Sequence, residues 1–127
     1  MSGGRVYIDG RFFEEADARV PVSDRGFLYG DALFETLRTY NRVPFLLEEH
    51  LERLLVSCLD LGIRPAEDRA ELARAVDSLL EQTSGESYLR IVVTRGSGYG
   101  PWPAAHARHG RTVIAGRPLS GYPATAS

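Results

Sequence analysis

Two successive segments of this chain are apolar on one side only, and this constrains the fold more than any other feature. In "LEEHLERLLVSCLDLGI" (residues 47–63), Leu51, Leu54, Leu55, Cys58 and Leu61 recur at spacings of three and four, and Gly62 marks the end. In "PAEDRAELARAVDSLLEQTSG" (residues 65–85), Pro65 opens a second helix and acidic residues fill its first turn. Leu72, Val76, Leu79 and Leu80 form its apolar face, and Gly85 closes it. A helix with a single apolar stripe has to cover something.

The flanking segments supply a sheet. "RVYIDGRFFE" sets two β-forming runs around Asp9-Gly10, a favoured hairpin turn. "DALFETLRTYNRVPFLL" is a second hairpin that turns at Asn41-Arg42, and Pro44 makes its return strand an edge or an irregular one. Ala32, Phe34, Thr36, Arg38 and Tyr40 share one face of the first strand; Leu33, Glu35, Leu37 and Thr39 share the other. "SYLRIVVTRG" is the strongest strand pattern, "GSGYGPWP" a loop and "RTVIAGRPL" a last strand, while Asp24 to Asp31 shape the loop between the two hairpins. The order predicts an α+β fold: a mainly antiparallel sheet with two helices packed on one face. Residues 1–118 make the domain, and "SGYPATAS" reads as part of a linker that starts at 119.

A net charge of -2 gives no sign of a nucleic-acid or membrane partner. The start, "MSGGRVYIDG", has no apolar stretch of the secretory kind. The one cysteine, Cys58, excludes an internal disulfide framework and fits a reducing, cytoplasmic setting. All 15 basic residues are arginine. With no lysine, chemistry that needs a side-chain amine, Schiff-base formation above all, cannot be done by a residue of this chain.

Several residues are candidates for chemistry. Arg53, on the first helix, either pairs with Glu49 or Glu52 or captures an anion, since a guanidinium fork matches a phosphate. Tyr88 and Arg90 lie two apart on the strongest strand and point to one face. They either hold a substrate carboxylate or lie on an exposed sheet. Phe34 and Arg38 share a face in the same way, with Phe34 also readable as plain core. His50, His106 and His109 match no common metal spacing. "RGSGYG" lacks the helix that a nucleotide-binding loop needs, and Cys58 on the apolar stripe reads as core.

Together "VYIDGRF", "VSDRGFLYGDALFETLRTYNRVPFLLEEHLERL", "YLRIVVTRG" and "TVIAGRPLSGYP" resemble the amino-terminal small domain of the class IV, fold-type IV pyridoxal-phosphate enzymes. That family includes branched-chain and D-amino-acid aminotransferases and 4-amino-4-deoxychorismate lyases. The resemblance implies that Arg53 holds the cofactor phosphate. It implies that Tyr29, Phe34 and Arg38 wall the substrate pocket, that Tyr88 and Arg90 lie near the substrate carboxylate, and that the loop from Gly96 to Pro103 reaches toward the second subunit of a homodimer. It implies pyridoxal 5'-phosphate as cofactor and an amino acid or keto acid as substrate. The family's lysine, from a larger second domain, has no counterpart here, so the chain is expected to be inactive alone. The alternative is a standalone module that keeps the fold for dimerisation or interaction.

Overall fold

The computed structural model describes residues 3–101 and 109–119. Six strands, β1 (Arg5–Ile8), β2 (Arg11–Glu14), β3 (Ala32–Tyr40), β4 (Val43–Pro44), β5 (Ser87–Thr94) and β6 (Arg111–Pro118), form one sheet in the order β2-β1-β6-β5-β3-β4. Every pairing is antiparallel. Both hairpin turns fall where expected. Asp9 (φ 48°) and Gly10 (φ 95°) make the first, and Asn41 (φ 51°) and Arg42 (φ 63°) the second, with the left-handed residues that match strand twist. Pro44 does sit on an edge strand, one only two residues long.

Among the described residues three α-helices accompany the sheet, α1 (Arg25–Tyr29), α2 (Leu47–Leu61) and α3 (Arg69–Glu81), with a short 3-10 turn at Glu15–Asp17. α2 and α3 both pack on one face of the sheet, as the one-sided stripes require. The core between them contains Leu51, Leu54, Leu72, Val76 and Leu79 from the helices and Leu89, Ile91 and Ile114 from the strands. Fully burying each such side chain contributes about 1.5–3 kcal/mol. At its carboxyl end α2 closes as a Schellman motif. Gly62 turns left-handed (φ 72°), its N–H bonds Leu59 O (3.3 Å), and the Ile63 N–H bonds Cys58 O (2.9 Å).

The structure corrects four details. Leu61, the last residue of α2, is 50% exposed, while Cys58 and Ile63 on either side of it enter the core. α3 starts not at Pro65 but after Asp68, whose carboxylate accepts from the Glu71 N–H (2.8 Å) while Glu71 accepts from the Asp68 N–H (2.9 Å). It ends at Glu81 rather than Gly85. The stretch after Ser23, expected as a loop, contains α1. Residues 120–127, expected as linker, lie outside the described residues, as does His106. Among the described residues no helix is long and apolar enough to cross a membrane.

Candidate functional site

The glycine- and charge-rich stretch "SDRGFLYGD" is held by buried charges. Asp24, 2% exposed, caps α1 by accepting from the Gly26 N–H (2.9 Å) and Phe27 N–H (3.2 Å). Its other oxygen accepts from the Thr94 hydroxyl (2.7 Å) and from Arg111. Asp31 Oδ2 accepts from both Arg25 Nε (2.9 Å) and Arg95 Nε (2.8 Å). Burial pushes the Asp31 carboxyl upward, but the hydrogen bonds from Arg95 and Arg25 outweigh it and leave it below its usual range. Arg95 also donates to Leu61 O (3.1 Å) and Gly62 O (3.2 Å), the negative end of α2. Gly100 is gripped twice, its carbonyl by Arg25 (2.6 Å) and its N–H by the Tyr29 hydroxyl (3.2 Å). This network ties α1, the loop after β5 and the end of α2 together. A polar recess of about 260 Å³ lies beside it, lined by Asp9, Arg95, Ser97, His109 and Arg111 among others; Arg95 and Arg111 are already engaged by aspartates.

The open face of the sheet gathers four of the residues singled out from sequence. Register sets Arg38 opposite Tyr88 and Thr36 opposite Arg90, so Phe34, Arg38, Tyr88 and Arg90 all lie on the face away from α2 and α3. Phe34 is 54% exposed, which removes its reading as plain core. The Arg90 guanidinium lies 4.0 Å from the Phe34 ring centroid and that of Arg38 4.1 Å from the Tyr40 ring. Tyr29 lies apart from this group, at the end of α1 under Arg25 (4.6 Å).

Arg53 is on the helix side. It pairs with neither Glu49 nor Glu52. Its Nε and Nη2 donate to Glu35 Oε2 (2.8 Å) and Oε1 (2.7 Å), a two-pronged bond from α2 to β3. His50 Nδ1 lies 2.7 Å from Glu35 Oε1. The Arg53 hydrogen bonds, with His50 adding to them, hold the Glu35 carboxyl below its usual range against the opposing pull of burial. The Glu35 side chain is 11% exposed and that of Arg53 68%. Nη1 of Arg53 meets no acceptor among the described residues, so one edge of the guanidinium faces outward. That edge suits an oxyanion and makes Arg53 a fit for a cofactor phosphate. Phe34 and Glu35 are adjacent on β3, so the substrate-wall candidates and the anion candidate lie on opposite faces of one strand.

Sequence reasoning missed Glu35, Asp24, Arg25, Asp31 and Arg95 as partners. A signal for Glu35 existed: it is an acid on the same face as Leu33 and Leu37.

Residues 32–124 match the amino-transferase class IV family. Over 95 residues the chain is 41% identical to a putative branched-chain-amino-acid aminotransferase of Methanocaldococcus jannaschii, a match covering 74% of this chain and 33% of that protein. It is 38% identical over 94 residues to the aminodeoxychorismate lyase of Bacillus subtilis, covering 72% of this chain and 32% of that one. The chain therefore spans about a third of the length of these curated relatives. The crystal structure of a branched-chain aminotransferase from Thermoproteus uzoniensis superposes with a TM-score of 0.81 at 27% identity, over 92% of this chain and 41% of that one. Sheet order, helix placement and sequence match agree: this chain belongs to the amino-transferase class IV family.

Proposed function

We propose that the chain forms one wall of a pyridoxal-phosphate site, for amino-group transfer between an amino acid and a 2-oxo acid or for chemistry of the aminodeoxychorismate lyase kind. The observation that carries this reading is Arg53, fixed through Nε and Nη2 by Glu35 with its remaining edge outward. Arg53 would grip the cofactor phosphate. Phe34 and Arg38 would bound the substrate, Tyr88 and Arg90 would meet its carboxylate, and Tyr29 would contribute from the end of α1. When bound, pyridoxal phosphate supplies the electron sink for charge at the substrate's α-carbon. No side chain of this protein can attach that cofactor through an amine or move the α-proton with one, since all 15 lysine-or-arginine positions are arginine. We assign those tasks to a second domain, with residues 1–118 as the small domain and 119–127 entering the linker. The complete enzyme would be a cytoplasmic homodimer acting on a small amino acid or keto acid.

Calorimetry with pyridoxine 5'-phosphate tests the reading; this alcohol analogue cannot react with the amino terminus. Wild-type chain should bind it. Arg53→Ala should weaken binding about tenfold, the lower range for a hydrogen bond to a charged group. The 127-residue chain should show no transamination on its own. Unchanged affinity in the alanine variant, or turnover by the pure chain, overturns the proposal.

A further inference from the structure

We propose that Glu35 is a positioning residue that presents Arg53 to the phosphate, and that His50 in turn holds Glu35. The inference rests on the assignment of Arg53 to phosphate binding made above. It starts from a residue in an unexpected place. Glu35 points to the helix-covered face of β3, where Leu37 is 6% exposed and Leu33 packs against the core. An acid there loses water and needs partners. It has them from one helix only: Arg53 on both oxygens, and His50, one turn earlier, on Oε1.

The geometry of the pair favours presentation over simple cross-linking. Glu35 engages Nε and Nη2, the side edge of the guanidinium. Two bonds in one plane fix the orientation of the group and leave Nη1 and the second Nη2 hydrogen directed away from the acid. A long arginine side chain on a helix surface samples many rotamers, and an anion that binds it must order it. Glu35 removes that cost beforehand. His50 closes the arrangement. An ionised carboxylate only accepts hydrogen bonds, so the His50 nitrogen facing it, Nδ1, carries the proton. The 3.5 Å approach of Arg53 Nη2 to that nitrogen is then between two donors and adds nothing.

The test is Glu35→Asp in the 127-residue chain, with inorganic phosphate as the probe. Aspartate keeps the charge, so repulsion of the anion is unchanged, but it withdraws the carboxylate by one methylene. NMR of the arginine Nε–H groups, with the Arg53 signal identified by its loss in Arg53→Ala, reads order directly. Wild type should show a rigid, exchange-protected Arg53 Nε–H. Glu35→Asp should lose that protection and bind phosphate about 2- to 12-fold more weakly, equivalent to re-ordering one long side chain. On an Arg53→Ala background the aspartate change should cost nothing further. A mobile Arg53 in the wild type, or protection and affinity unchanged in Glu35→Asp, overturns the inference. If Arg53→Ala itself binds phosphate as well as wild type, the underlying assignment fails, and this inference with it. Should the aspartate variant not fold, His50→Phe removes the His50 bond to Glu35 Oε1 and leaves Arg53 as the partner of both Glu35 oxygens. The same two readouts must then fall by a smaller amount, and no change overturns the proposal.

Discussion

Replacing Asp31 with asparagine keeps the side chain's size and removes the charge shared by two buried arginines. Arg25 and Arg95 are 5% and 6% exposed, and both send Nε to the same Asp31 oxygen. A charge-assisted bond contributes about 1.5–3 kcal/mol, and an uncompensated buried charge costs about 3–5 kcal/mol. Neither arginine is left wholly alone. Arg25 keeps Gly100 O, and Arg95 keeps two carbonyls at the end of α2. Asparagine can also still accept one bond. Asp31→Asn should therefore cost about 2–4 kcal/mol, or roughly 8–16 °C in Tm for a chain of this size. The pH dependence follows from the direction of the shift. The folded Asp31 carboxyl is held below its usual range, so its contribution is full above the unfolded value near 3.9 and is lost as pH falls through the folded one. Urea unfolding followed by circular dichroism at a series of pH values should show a constant gap between wild type and variant from about pH 7 to about 5, closing below about 4. A gap under about 0.5 kcal/mol at neutral pH, or one that widens on acidification, refutes the assignment of stability to this carboxylate.

Two other positions give independent checks. A Cβ on Gly110 would stand 2.0 Å from the Thr94 carbonyl oxygen, where β5 and β6 meet. Gly110→Ala should therefore lose at least about 2 kcal/mol in the same unfolding assay, and near-wild-type stability would show that this close approach can relax. Cys58 is buried, and burial pushes its thiol up to about 11. A thiol reagent at pH 8 should label it only at the rate of unfolding, whereas fast labelling of the native chain would mean that α2 lifts off the sheet.

The parts of this fold that were legible in the sequence are those with a period or a turn pair. The apolar stripes of α2 and α3 and the turns at Asp9-Gly10 and Asn41-Arg42 each carry their own local reason. α1 has no period, since five residues are too few for one of 3.6 residues to show; its local signals are only the Asp24 cap and the left-handed Gly30, and Asp24 is itself fixed by distant partners at 94 and 111. The start of α3 was readable and was masked by Pro65; Asp68 with Glu71 three residues on is itself a start signal.

The candidate site divides along the same line. A period of two puts Phe34 with Arg38 and Tyr88 with Arg90, and the β3–β5 register then brings the two pairs onto one face. The pairing of Arg53 with Glu35 has no such period behind it. The alternation does place Glu35 among leucines, which demands a cation, but Arg38, Arg42 and Arg53 all follow within a short stretch of chain. Arg38 is excluded by parity, because it points to the opposite face of β3. Arg42 lies in the turn itself and donates to Gly85 O and Leu80 O. Only the passage of α2 over the helix-covered face brings Arg53 to Glu35. The motif therefore announces a guanidinium, while its aim comes from how a helix and a strand are packed. For that reason the carboxylate behind Arg53, rather than Arg53 alone, is the residue to change first.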